Sequence, residues 1–493
     1  MAADNIGPLW LTAAPLPFGT AHTVCILTAL SSHSFAQLPL KPQLLGNLET
    51  LDYLHMTPIQ KESLPLILQG RDVIGQGKTG SGKTAAFGLG LLNKLDVKYF
   101  RVQCLILCPT RELADQVAKE VRRLARAIHN IKVLTICGGA PLGPQIGSLE
   151  HGAHIVVGTP GRIEDHVNKG RLVLDDVHTL VLDEADRMLA MGFQASLDAI
   201  IQTIPANRQS LLFSATYPAA IEKMAQRIMH EPVLIKVEGE HDDSIIAQHF
   251  YQVGNNQARD HAVMLLLLQH QPESALVFCN TKSDTQQLAN TLNDNGCYAL
   301  ALHGDMEQKE RDQTLLRFAN KSATVLVATD VAARGLDIEA LDLVINYQMP
   351  RDQEVYVHRI GRTGRAGSSG CACTLYGDKE QHKLDALQGY LDRTIQAEAL
   401  PNEKDVAASL PRPLMATLQI DGGKKQKLRA GDILGALTSK TGGSEINGSD
   451  VGKIVLHDIR AYVAVKQTVL KQALKKIQQG KMKGRSFKVR ELR

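Results

Sequence analysis

Asp72-Val73-Ile74-Gly75-Gln76-Gly77-Lys78-Thr79-Gly80-Ser81-Gly82-Lys83-Thr84 is the stretch from which the fold can be read. A short β-branched run stops at a glycine-rich segment of the form G-x-x-x-x-G-K-[ST], and a helix-forming run follows. Glycines let consecutive backbone N–H groups converge on an anion, and the helix behind them adds the positive end of its dipole. Gly77, Thr79, Gly80, Ser81 and Gly82 would wrap the phosphates of a nucleotide. Lys83 stands where a side chain reaches the β- and γ-phosphates, and Thr84 where a hydroxyl ligates Mg²⁺. A chance glycine-rich turn would lack the strand before it and the helix after it.

The same grammar recurs outward from this loop. Apolar runs at 104–108, 155–157, 180–182 and 211–213 end in Pro109-Thr110-Arg111-Glu112-Leu113, Gly158-Thr159-Pro160-Gly161-Arg162, Asp183-Glu184-Ala185-Asp186 and Ser214-Ala215-Thr216. Segments such as 111–127 and 221–229 space their apolar residues at helical intervals. Strands alternating with helices predict a parallel sheet covered on both faces, with ligands beyond the carboxyl ends of the strands. The pattern returns from about 245 to 395 without a second phosphate loop, where apolar runs precede Asn280-Thr281-Lys282 and Thr329-Asp330. The expected fold class is therefore α/β: two tandem RecA-like parallel-sheet lobes, 35–238 and 248–397, followed by a small α+β domain at 414–493. The acidic stretch 239–247 and the proline-bearing 398–413 read as linkers. Residues 1–34 are expected to be a disordered or mis-assigned start.

Asp183, directly after an apolar strand, suits a carboxylate that holds Mg²⁺ through its water shell, and Glu184 is placed to orient and deprotonate an attacking water. In the second lobe, His358-Arg359-Ile360-Gly361-Arg362-Thr363-Gly364-Arg365 carries three arginines within seven residues. A solvated basic face is the usual explanation of such a run. Phosphoryl transfer, however, needs positive charge at the γ-phosphate, and Arg362 and Arg365 would supply it from the opposite lobe.

Charge is distributed unevenly. Residues 412–493 hold 18 Lys/Arg against 6 Asp/Glu, a balance of +12, so with a net charge of +4 the rest of the chain sums to −8. A basic module at the end of an acidic body points to a polyanion. The eight cysteines include two close pairs, Cys104/Cys108 and Cys371/Cys373, neither with a second pair at zinc-ligand spacing. Most lie in apolar runs, as small buried hydrophobes do, and a reducing cytoplasm is expected. No apolar run approaches a membrane span, and the first basic residue is Lys41, too late for a secretory leader.

From 35 to 367 the chain resembles the DEAD-box RNA helicases, motif by motif and in order. Phe35 and Thr57-Pro58-Ile59-Gln60 are similar to the Q motif, in which the glutamine reads adenine, and Tyr53 lies where the family commonly has an aromatic. Asp52 and Gly77 depart mildly from the family pattern. The resemblance implies RNA-backbone contacts at Pro109, Thr110 and Arg111, at Gly138 and Gly139, and at Thr159, Pro160, Gly161 and Arg162. In the second lobe it implies them at Thr281, Gln308, Arg311, Thr329 and Arg334. Gly335 and Asp337 would touch nucleotide. Ser214, Thr216, Asp186 and His358 would couple nucleotide state to RNA binding.

The tail reads as βαββαβ, a recognition-motif order for RNA, and resembles the C-terminal domain of a bacterial branch of the family. That resemblance implies a 23S ribosomal RNA hairpin as target and a role in large-subunit assembly. Stacking on its sheet is expected to be weak, since the usual aromatic positions hold Gln419, Tyr462 and Ala464. Lys424, Lys425, Lys427 and Arg429, and Lys481, Lys483 and Arg485, are the candidate contacts. The sequence thus predicts a cytoplasmic, monomeric ATP- and Mg²⁺-dependent RNA helicase. The alternative is a nucleotide-gated RNA clamp or scaffold.

Overall fold

Short strands rich in β-branched residues alternate with helices through most of the chain. A computed structural model describes residues 33–77, 80–237, 246–333, 341–364, 370–439 and 446–492. The first sheet comprises β1 (Val73–Gln76), β2 (Cys104–Leu107), β3 (Val133–Ile136), β4 (Ile155–Gly158), β5 (Thr179–Asp183), β6 (Gln209–Ser214) and β7 (Val233–Lys236). Its order is β3-β4-β2-β5-β6-β1-β7, with every pairing parallel.

Successive side chains of a strand leave opposite faces, and two apolar layers result. Val73, Cys104, Ile106, Val181 and Phe213 enter one layer, while Ile74, Leu105, Leu107, Leu182 and Leu212 enter the other. Gly75 is required by close approach, because a Cβ there would stand 2.5 Å from the Phe213 ring. Helix Arg111–Leu124 shows how the flanking elements are terminated. Thr110 Oγ1 accepts from the Leu113 N–H, Glu112 lies in the first turn and Arg122 and Arg123 in the last, all matched to the helix dipole.

The second sheet contains β8 (Ile246–Gln252), β9 (Ala275–Cys279), β10 (Ala299–Leu302), β11 (Val325–Thr329), β12 (Leu343–Asn346) and β13 (Gly370–Tyr376). Its order is β10-β11-β9-β12-β13-β8, again parallel throughout. β8 pairs with β13 from Ile246 onward, so Ile246 and Ala247 belong to this sheet and not to the expected linker.

The last domain is an antiparallel sheet of β14 (Met415–Ile420), β15 (Val451–Leu456), β16 (Ala461–Lys466) and β17 (Val489–Glu491), ordered β15-β16-β14-β17. Leu418, Ile420, Val463 and Val465 pack on Ile433 and Leu437 of helix Ala430–Thr438 and on Ala473 and Ile477 of helix Leu470–Gln479. The opposite face is covered as well. Asn320 Nδ2 donates to Thr417 Oγ1 at 3.2 Å, the Ser322 and Thr417 hydroxyls lie 2.6 Å apart, and the Met415 N–H donates to the Lys321 carbonyl. Among the described residues no helix is long and apolar enough to cross a membrane.

Candidate active site at the cleft between the lobes

The phosphate loop leaves the carboxyl end of β1 and enters helix Lys83–Lys94 through Gly80 and Gly82, whose φ angles are 85° and 93°. At Gly82 a Cβ would meet Gln60 Nε2 at 2.4 Å, so the loop can pack on helix Pro58–Leu68 only with glycine there. Gln60 is 1% exposed. Its Nε2 donates to the Gly82 carbonyl at 3.1 Å, and its Oε1 accepts from the Thr57 N–H at 2.9 Å. Thr57 Oγ1 donates to the Ser81 carbonyl at 2.7 Å. The expected adenine reader therefore also braces the phosphate loop. Phe35 is buried edge-on to Tyr53, and the Tyr53 hydroxyl donates to Glu120 and accepts from Arg123, which tethers that ring to helix Arg111–Leu124.

Lys83 is buried, and its ammonium donates to the Gly77 carbonyl at 2.6 Å. Burial pulls its pKa down, while Asp183, Glu184 and Asp186 work against that. Thr84 follows on the first helical turn, half-buried. Asp183 ends β5, where burial pushes its carboxyl up to about 7 against the pull of Lys83. Glu184 turns the chain with φ 52° and forms a buried ion pair with Arg187 at 2.8 Å. The hydroxyls of Ser81 and Ser214 are buried without a hydrogen-bond partner. A buried ammonium, two buried carboxyls and an unpartnered loop hydroxyl around a glycine-rich turn are the donor set that suits a magnesium-bound triphosphate.

From this pocket a chain of contacts runs into the second lobe. Asp186 accepts from Thr216 Oγ1 at 2.8 Å and from the Thr216 N–H at 3.2 Å, joining the ends of β5 and β6. Arg187 Nη2 lies 3.4 Å from His358 Nδ1 on helix Gln353–Ile360. Burial first, and then the Arg187 charge, push the His358 pKa down to about 4. Asp186, Arg187, Thr216, His358 and Arg362 line one cleft of about 230 Å³ between the lobes. Arg362 is buried at its wall. Arg359 also borders the cleft, but its guanidinium is engaged within the second lobe: it grips both oxygens of Asp330 at 2.7 Å, donates to Asn280 and Asn346, and lies over the Phe278 ring.

The residues expected along an RNA path lie at the carboxyl edges of both sheets. Pro109, Thr110 and Arg111 follow β2, Gly138 and Gly139 follow β3, and Thr159 to Arg162 follow β4. Thr159 Oγ1 accepts from the Gly138 N–H, and Arg162 donates to the Ala140 carbonyl, so these segments form one rim. Thr281 caps helix Lys282–Asp294, and Thr329 ends β11. Gln308 opens helix Gln308–Ala319 close to Gly139, across the cleft. Arg311 is drawn inward: its Nε donates to Glu112 Oε1 at 2.6 Å, a part-buried pair that bridges the lobes. Thr79, Arg334, Gly335, Asp337 and Arg365 lie outside the described residues.

In the last domain Lys424, Lys425, Lys427 and Arg429 are exposed, as are Lys481, Lys483 and Arg485. Lys483 is engaged by Asp432 and the Lys427 carbonyl. Gln419, Tyr462 and Ala464 are all buried. The sheet face is thus closed by packing on both sides, beyond its lack of aromatics. Sequence reasoning missed Arg187, Glu112 and the Arg359–Asp330 pair. Arg187 was marked only by adjacency to Asp183–Asp186, and Glu112, Arg359 and Asp330 sat in quoted motifs without their partners, because each meets a partner distant in the chain.

Two parallel-sheet lobes, with a phosphate loop on one and His358 and Arg362 of the other at the cleft between them, define a two-lobed nucleotide-driven motor of the helicase kind. The chain belongs to the DEAD-box ATP-dependent RNA helicases. Residues 57–224 match the DEAD/DEAH box helicase family, 258–367 the helicase conserved C-terminal domain and 417–491 the DbpA RNA binding domain. It is 52% identical to the ATP-dependent RNA helicase DbpA of Escherichia coli over 454 residues, covering 92% of this chain and 98% of that one. It is 44% identical to the DEAD-box ATP-dependent RNA helicase CshA of Geobacillus kaustophilus, over 76% of this chain and 81% of that one. Saccharomyces cerevisiae Dbp5 bound to RNA and ADP BeF3 superposes with a TM-score of 0.68 at 31% identity, covering 74% of this chain and 95% of that one.

Proposed function

We propose that this RNA helicase closes its two lobes on ATP and RNA, separates short duplexes locally, and is directed by residues 414–493 to a 23S ribosomal RNA hairpin during large-subunit assembly. The observation that carries the coupling is the contact chain Thr216–Asp186 and Arg187–His358, which joins the nucleotide pocket to the second lobe.

In this reading the phosphate loop and Lys83 hold the β- and γ-phosphates, and Thr84 and Asp183 hold Mg²⁺. When bound, Mg²⁺ neutralises charge on the phosphate oxygens. Glu184 orients a water in line with the γ-phosphorus and takes its proton as the bond to the β–γ bridging oxygen breaks. Arg362 and Arg365 stabilise the charge that develops, so hydrolysis requires closure. RNA runs along the rim formed by 109–111, 138–139, 159–162 and the facing segments of the second lobe, and release of phosphate reopens the clamp. A yeast relative that binds RNA and ADP BeF3 together supports a shared path of this kind.

RNA-stimulated ATP hydrolysis by Glu184→Gln tests the assignment. Loss of about 10²-fold or more in turnover, with ATP-dependent RNA binding retained, is expected. Turnover close to that of the unaltered chain sinks the general-base role of Glu184.

A further inference from the structure

Two cysteines and a histidine meet at the edge of the second sheet opposite the cleft. Cys371 and Cys373 stand two residues apart at the start of β13 and leave the same face of the strand. Helix Asn256–His270 ends at that edge, because Gln271 takes a left-handed φ of 46°. His270 Nε2 lies 3.9 Å from the Cys371 sulfur and 3.8 Å from the Cys373 sulfur. One ligand atom from each of the three residues lies within 4.8 Å of the others. In a tetrahedral site with a metal–sulfur bond of ~2.3 Å and a metal–nitrogen bond of ~2.0 Å, the sulfur-to-nitrogen edge is ~3.6 Å. Both sulfur-to-nitrogen distances already stand close to that spacing.

We propose that His270, Cys371 and Cys373 form a site for a thiophilic divalent cation of the Zn²⁺ class, with the fourth position left to water. Two thiolates and an imidazole select zinc, whereas the oxygen donors of the phosphate pocket select magnesium, so the sites do not compete.

The surroundings give the site a consequence. His249, paired in register with Cys373, bonds to Glu398 at 2.9 Å. Gln271 donates to the Ser409 carbonyl, and Leu400 and Leu410 pack on the core that contains Cys373. The segment leading to the RNA-binding domain is therefore seated beside the site. A bound cation ties the helix end to β13 and stiffens that seat.

Cobalt titration of the full, reduced and chelator-treated chain, without nucleotide, provides the test. One equivalent of Co²⁺ is expected to give sulfur-to-cobalt charge-transfer absorption and intense tetrahedral d–d bands, both abolished by Zn²⁺. Cys371→Ser and His270→Gln, at half-buried positions, should lose these bands while RNA-stimulated ATPase reports that they are folded, and Cys297→Ser should keep them. Zn²⁺ should also protect two thiols of the unaltered chain from alkylation, a readout that needs no variant. A cobalt spectrum without charge transfer, its persistence in both variants, or alkylation indifferent to Zn²⁺ overturns the proposal.

Discussion

Arg359 is the largest of the fully buried side chains among the described residues, and its charge is matched inside the second lobe by Asp330. Arg359 and Arg362 of this segment look alike in sequence, yet their surroundings separate them. Both border the cleft, but Arg359 has its guanidinium spent on Asp330, Asn280, Asn346 and the Gln348 carbonyl. Removing one partner of a buried ion pair leaves the other uncompensated, at a cost of about 3–5 kcal/mol. Arg359→Ala should therefore destabilise the second lobe by about 3 kcal/mol, since Asp330 keeps some access to water. Denaturant unfolding checks this, and a change below ~1 kcal/mol would remove Arg359 from its structural role. At this scale the chemistry of the first lobe was legible, because phosphate binding draws on consecutive backbone groups. The direction of each arginine was not, because it depends on which acids the fold brings near.

Helix Gln353–Ile360 touches the first lobe through His358, which lies against Arg187. Its folded pKa of about 4 lies below the ordinary histidine value of about 6.5, so the neutral form is the one buried against Arg187. The sign follows from linkage. Stability contributed by this contact is fully present above about pH 6.5 and is lost as pH falls from there towards 4, up to about 3 kcal/mol. Closure and RNA-stimulated turnover should decline over that window. His358→Gln should flatten the acid limb of a pH profile read by both turnover and an interlobe distance probe. An acid limb unchanged in His358→Gln would assign the titration elsewhere. Among the elements, β1, β2, β5, β6 and β9 could be read from their apolar runs. β8 and β13 could not: β8 carries Gln248 and His249 at a sheet edge, and β13 begins Gly370-Cys371-Ala372-Cys373, where small residues replace the β-branched ones.

Across the whole molecule, the basic domain is both tethered and docked. Its sheet meets the end of helix Gln308–Ala319 through Thr417, Asn320 and Ser322, which leaves the loops and helices as its exposed basic surface. Removal of residues 412–493 should leave ATPase stimulated by generic RNA and abolish preference for the ribosomal hairpin, an avidity loss on the order of 10²–10⁴-fold. Comparison of stimulation by hairpin and non-hairpin RNA measures it. A core that still prefers the hairpin would place specificity in the lobes. Binding by the domain should also weaken steeply with salt, through release of counterions from the phosphates.

The order of the motifs, the two α/β lobes, the phosphate loop and the basic tail are written locally in the chain, because periodicity and contiguous donors encode them. Tertiary structure alone decided that Arg187 meets His358, that Glu112 pairs with Arg311, and that the tail sheet is covered. It also brought His270 to a cysteine pair 101 residues away. Those contacts arise from how helices seat on sheets, and no local pattern in the chain records that.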